Sequence, residues 1–193
     1  MTKSFHKRIL VTGSAGRSHL DLKGYELIIE ALSILKKSTN LEFKYLIENG
    51  IDLSLYGTGW NHLKGSKLIK KKRIVPVRGE DYVETLGRSK ICLSFLSKMN
   101  RDVYTRRCFE IPAMKKLLLC ERSEDMQEMF VEDKEAVFFS DKLELLEKVK
   151  WLLANPTIIN DIAEAGFQRV YDNKDDVDSR AQQFLEIIRE VTI

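Results

Sequence analysis

Ile91-Cys92-Leu93-Ser94-Phe95 is followed, after a short connection, by Asn100-Arg101-Asp102-Val103-Tyr104-Thr105-Arg106-Arg107-Cys108-Phe109-Glu110-Ile111-Pro112-Ala113. The apolar run reads as a buried strand. The polar stretch then leads into a helix, expected over Thr105–Met114 with Thr105 as its N-cap. A loop at a strand's carboxyl end that opens into a helix rich in arginine suits a phosphorylated ligand. Free backbone N–H groups and the helix dipole attract anions there. Arg107 and Glu110 lie three apart and share a helix face. A carboxylate one turn in can accept hydrogen bonds from sugar hydroxyls. The same residues also suit a solvated helix start closed by an Arg107–Glu110 ion pair.

The pattern repeats outward from this unit. Arg8–Gly13, Ile51–Tyr56, Ile74–Val77, Lys116–Cys120 and Ala136–Phe139 are further short apolar runs. With Ile91–Phe95 they predict about six strands. Helical stripes fall between them, at Gly24–Lys37 and Tyr82–Arg88, with a helical turn at Met126–Phe130. Leu41–Asn49 is ambiguous and leans to helix, with Gly50 as its stop. Three helices close the chain at Lys142–Ala154, Thr157–Tyr171 and Val177–Val191. Asn155-Pro156 separates the first two. The alternation predicts an α/β fold: a Rossmann-like, doubly wound parallel sheet in one domain spanning residues 1–193.

Composition narrows the class. Of 193 residues, 44% are hydrophobic and 32% charged, as in ordinary globular proteins. A net charge of +3 gives no electrostatic case for nucleic acid. Cys92, Cys108 and Cys120 lack CxxC spacing and lie in or beside apolar runs, so buried free thiols in a reducing compartment are expected. No run approaches the ~20 apolar residues of a membrane span, and Met1–Arg8 does not resemble a signal peptide. The expected location is the cytoplasm.

Other motifs carry less. Thr12-Gly13-Ser14-Ala15-Gly16 after a strand resembles the start of a dinucleotide fingerprint, but His19 stands where a third glycine would. Short-chain dehydrogenases also need tyrosine and lysine four apart; Tyr171 and Lys174 are three apart. The loop's alternative use is a diphosphate gripped by Arg17 and Lys23. Asp176-Val177-Asp178 reads as capping at a helix start rather than a metal motif. His6, His19 and His62 have no zinc spacing. The basic run Lys64–Arg73 reads as a charged face, with membrane contact the weaker use.

From Leu53 onward the order of several pieces resembles the C-terminal half of group 1 glycosyltransferases of the GT-B fold. The spore-maturation-type branch is the nearest in pattern. The pieces are Leu53-Ser54-Leu55-Tyr56-Gly57-Thr58-Gly59-Trp60, Ser89–Phe95, Asn100-Arg101-Asp102, Tyr104–Ala113, Glu135–Phe139 and Ile162–Val170. Arg17–Leu32 resembles the superfamily's Arg…Lys-Gly-helix segment.

The resemblance implies a single GT-B half that binds a nucleotide diphosphate sugar and requires no metal or other cofactor. Asp102 and Glu110 have the spacing of the family's paired acidic residues, with Asp where glutamate is common. By resemblance Glu110 holds the ribose hydroxyls, and Arg17 and Lys23 the diphosphate. Candidate catalytic residues are therefore Asp102 and Arg107. Candidate ligand-binding residues are Gly13, Arg17, Lys23, Arg101, Thr105 and Glu110, with no metal ligand. Lys115-Lys116 departs from the small residues usual after this helix.

The GT-B fold has two halves, and seven residues before Arg8 cannot hold an acceptor domain. The expectation is that the chain is a fragment, or acts with an acceptor-domain partner, or self-associates through the C-terminal helix. The competing readings are a non-catalytic nucleotide- or partner-binding module and an NAD-dependent oxidoreductase.

Overall fold

A computed structural model describes residues 9–14, 42, 45–58, 77–96 and 101–191. Its elements, in order, are β1 (Ile9–Ser14), β2 (Leu53–Thr58), α1 (Gly79–Gly87), β3 (Ile91–Ser94) and α2 (Arg107–Ala113). They continue with β4 (Leu117–Glu121), α3 (Glu124–Met129), β5 (Val137–Phe139), α4 (Lys142–Ala154), α5 (Pro156–Asp172) and α6 (Val177–Val191). Residues 45–48 are also helical, and Gly50, at φ 80°, follows them as the expected stop.

The strands form one sheet of order β2-β1-β3-β4-β5, with every pair parallel. Five strands are seen among the described residues, where about six were expected. Of the sixth, Ile74–Val77, only Val77 is described, and it lies in no regular element. The expected helix Gly24–Lys37 lies outside the described residues, as do Lys64–Arg73 and the three histidines.

Alternation along the strands sorts the core into two faces. Ile91, Leu93, Leu117, Leu119, Val137 and Phe139 join Leu46, Leu53 and the apolar stripe of α4. Cys92, Leu118, Cys120 and Phe138 point the other way, to Leu86, Cys108, Ile111, Met126 and Phe130. Both faces of the strands are covered, which is why β3 and β4 read as unbroken apolar runs. The long helix α5 serves both layers: Ile159, Ile162 and Ala163 lie in the first, and Val170 in the second.

Local chemistry sets the helix ends. Asp141 accepts from the N–H groups of Leu143 (2.7 Å) and Glu144 (3.0 Å), capping α4. Asp176 accepts from the Ser179 N–H (2.8 Å) and hydroxyl (2.6 Å), so the Asp-x-Asp motif is a cap. α2 ends in a Schellman motif: the Lys116 N–H reaches the Ile111 carbonyl and the Lys115 N–H reaches that of Pro112. Lys115 takes φ 54° there, which accounts for the helix stopping before Met114. Gly166 lies on α5 where a Cβ would overlap the Glu135 carbonyl oxygen and meet Pro112 Cβ at 3.6 Å. Glycine at that position lets α5 close on α2.

Candidate functional site

In a doubly wound sheet the ligand crevice opens at the strands' carboxyl ends, where the chain reverses its direction of growth. Here β2 lies on one side of β1 and β3 on the other, so the reversal falls between β1 and β3. Gly13 and Ser14 end β1, and Ser94 ends β3. Gly13 pairs with Gly57 of β2, putting two glycines side by side near that edge. Arg17 and Lys23 lie outside the described residues.

The segment 101–106 lies between β3 and α2 in the chain and leads into that helix. Arg101 is exposed and takes φ 53°, a left-handed conformation that a residue with a Cβ adopts only under constraint. The Ser123 hydroxyl donates to the Val103 carbonyl at 2.6 Å and also caps α3. Tyr104 packs edge-on against Phe109 at 5.7 Å, and Phe109 against Phe130 at 6.4 Å. The Leu96 N–H donates to Glu121 Oε2 at 3.1 Å, tying the end of β3 to the end of β4. The segment is thus held by α2 and by the cap of α3, which suits a preorganised ligand contact.

Two details of the sequence reading change. Thr105 is not the N-cap; Arg106 is, and no side chain caps the helix. The Thr105 carbonyl accepts from the Cys108 N–H (2.9 Å), and that of Arg106 from Phe109 (3.1 Å) and Glu110 (3.0 Å). Helix α2 has seven residues, and these first-turn N–H groups are already used, so its N-terminus is not a ready-made anion site. Any anion must then be met mainly by side chains.

The second detail is the ion pair. Glu110 pairs with Arg106, Nε to Oε1 at 2.7 Å. Its other oxygen, Oε2, accepts from the Tyr82 hydroxyl of α1 at 2.9 Å. The glutamate is therefore gripped from two elements. Burial raises the Tyr82 pKa to about 12, and the hydrogen bond to Glu110 adds to the effect. The positive charge of Arg107 works against it. Asp102 is half-buried in the loop ahead of the helix. Sequence reasoning missed Tyr82 and Arg106. Tyr82 lies four residues before the buried Leu86 and reads as part of a core stripe; nothing local ties it to a residue 28 positions on.

Beneath this surface lie the three cysteines, all buried and free, as expected. Burial pushes the Cys92 thiol up to about 12. The sulfurs of Cys108 and Cys120 are 3.8 Å apart. Their mutual hydrogen bond draws Cys108 below the usual thiol range and pushes Cys120 above it. The Thr105 N–H donates to Cys108 Sγ at 3.4 Å, so the backbone of Thr105 faces inward. Ser94 Oγ is buried close to the sulfurs of Cys108 and Cys120, where it helps to lower both thiols, though it makes no hydrogen bond of ordinary geometry.

Among the described residues no group of three or more His, Cys, Asp or Glu is placed to hold a metal ion. No described helix is long and apolar enough to cross a membrane.

A family model described as glycosyl transferase-like matches residues 39–186. The chain belongs to this family. The match takes in β2, α1 and the whole of the Tyr82–Glu110 cluster. No curated protein matches this glycosyl transferase-like chain.

Among solved structures, a glycosyltransferase from Rickettsia africae aligns over 96% of this chain and 48% of its own, with 19% identity and a TM-score of 0.61. The Anabaena protein HepE, solved in complex with UDP and glucose, aligns over 95% and 48%, with 12% identity and a TM-score of 0.63. The catalytic domain of a Helicobacter pylori cholesterol-alpha-glucosyltransferase aligns over 86% and 98%, with 15% identity and a TM-score of 0.54. At these identities the likeness is one of fold. The chain spans about half the length of the Rickettsia and Anabaena proteins.

Proposed function

We propose that the chain is the donor half of a glycosyltransferase and takes a nucleotide diphosphate sugar. The observation that carries this reading is Glu110, held at the carboxyl edge of the sheet by Tyr82 and Arg106. A fixed carboxylate at that edge suits a pair of ribose hydroxyls. Family membership supports it, as does the complex of HepE with UDP and glucose.

In this reading Gly13 lets the phosphates approach the end of β1. Arg17, Lys23 and Arg101 meet the diphosphate, and Thr105 lies beside it. Asp102 and Arg107 flank the reacting bond, where side-chain cations stabilise the charge that develops on the leaving diphosphate. Those cations take the place of a metal. Within the family we assign the chain to the spore-maturation-type branch, on the strength of Asn100–Asp102 and Tyr104–Ala113. The three buried free thiols support a cytoplasmic setting.

The acceptor surface belongs to a second half, since transfer needs donor and acceptor oriented together; orientation can lower a barrier by about 7–11 kcal/mol. We assign contact with that half, or with a second copy of this chain, to α6. None of its described residues is buried, and Phe184, Leu185, Ile187 and Ile188 are exposed. The NAD-dependent reading draws no support here: Tyr171 is exposed on α5 and stacked on Phe167.

The test is to incubate the chain with UDP-, GDP- and ADP-sugars and candidate acceptors, then follow binding by calorimetry and product by mass spectrometry. The expected result is nucleotide binding with little or no transfer. Robust turnover would show that one half suffices. Failure to bind any nucleotide would leave a partner-binding module.

A further inference from the structure

We propose that Tyr82 aims the Glu110 carboxylate in the nucleotide subsite, while Arg106 only occupies the remaining oxygen until a ribose arrives. The inference rests on the donor-site reading above and goes further by dividing the two partners of Glu110 into one that stays and one that yields.

The two contacts differ in kind. Tyr82 projects from α1, where its ring packs against the buried cluster around Leu86 and Cys92. Its rotation is limited by that packing, and its hydroxyl sits 2.9 Å from Oε2. Arg106 belongs to α2 itself, four residues before Glu110, and its side chain is 87% exposed. An exposed pair of this spacing is weak, because solvent screens it and the long side chain loses freedom in making it. The torsion that turns a glutamate carboxylate is broad. Without an anchor on one oxygen the group swings. Tyr82 supplies that anchor from another element, so the aim does not depend on the flexible arginine.

A carboxylate offers about four acceptor positions over its two oxygens. Tyr82 uses one on Oε2 and Arg106 one on Oε1. Once the solvated arginine swings out, Oε1 is open on both sides and two ribose hydroxyls can add without displacing Tyr82. Tyr82 is on this view a positioning residue: it acts on the ligand through Glu110.

The test uses the full chain and calorimetry with UDP, GDP and ADP, each beside its 2′,3′-dideoxy counterpart. Tyr82→Phe keeps the ring and removes the hydroxyl. It should weaken binding of the preferred ribonucleotide by about three- to tenfold, since the ligand must then order a carboxylate that the hydroxyl no longer holds, and leave the dideoxy compound as before. Arg106→Gln should tighten ribonucleotide binding by about a few fold, as expected for losing a weak exposed competitor. A readout without ligand accompanies these: in Glu110→Gln the Tyr82 phenolate absorbance should appear at lower pH than in the wild type.

Unchanged ribonucleotide affinity in Tyr82→Phe would overturn the proposal. So would equal losses for the ribo and dideoxy compounds, which would mean that Tyr82 serves only the fold. A loss in Arg106→Gln as large as in Tyr82→Phe would overturn the division between the two partners. Wild-type protein that binds none of the three nucleotides would sink the donor-site reading itself. Wild type that binds while Tyr82→Phe is unaffected would sink only the role of Tyr82.

Discussion

The two faces of the sheet are built from the same strands and from different chemistry. One carries Leu93, Leu119, Val137 and Phe139 under the aliphatic stripe of α4. The other carries Cys92, Cys120 and Cys108, with the half-buried Tyr82 and Phe109 packed at its margin. The first face only has to exclude water. The second must do that and also hold Glu110 and the 101–106 segment. All three cysteines lie on the face that also carries the site.

Breaking the first face should have the largest effect. Leu119→Ala is expected to cost about 2–5 kcal/mol of stability, read by urea denaturation, with the nucleotide affinity of the remaining folded protein unchanged. A matching loss of affinity would mean that the two faces are not separable. Gly166→Ala comes next, at about 1–3 kcal/mol. It pushes α5 off the Glu135 carbonyl and away from Pro112, so it should also loosen α2 and weaken nucleotide binding modestly. Unaltered denaturation would show that α5 can shift without strain.

The site face should be distinguishable by pH. Native Tyr82 keeps its proton up to about 12, whereas the unfolded chain releases it near 10.0. Between those values the native state binds more protons, so stability falls as pH rises. Wild type should therefore lose more stability than Tyr82→Phe on moving from pH 9 to pH 11, measured by denaturant midpoints. Parallel curves would mean that Tyr82 titrates normally. The smallest effect is expected at Ser94→Ala, which removes a buried hydroxyl that makes no hydrogen bond of ordinary geometry and should change stability by less than about 1 kcal/mol.

The fold was legible wherever burial on both sides of a strand left an unbroken apolar run, as at Ile91–Phe95 and Lys116–Cys120. Asn155-Pro156 marked the boundary between α4 and α5 closely, because proline at a helix start is local chemistry. The site was legible in one dimension only. Glu110 stood out, but its partners did not. Spacings of three and four residues both bring side chains together on a helix. The helix that starts at Arg107 with Arg106 as cap brings Arg106 to Glu110, which spacing alone does not tell. Tyr82 reaches Glu110 from a different helix, 28 positions away in the chain, a long-range fact that no short window contains.

The central claim is that Glu110 reads ribose at the edge between β1 and β3. The most direct measurement is calorimetry of the preferred nucleoside diphosphate and its 2′,3′-dideoxy analogue on wild type and Glu110→Ala. Hydrogen bonds to a charged group contribute about 1.5–3 kcal/mol each. The account predicts that wild type prefers the ribonucleotide by that order per hydroxyl and that Glu110→Ala abolishes the preference. A folded Glu110→Ala protein that still prefers the ribonucleotide by the wild-type margin would contradict it.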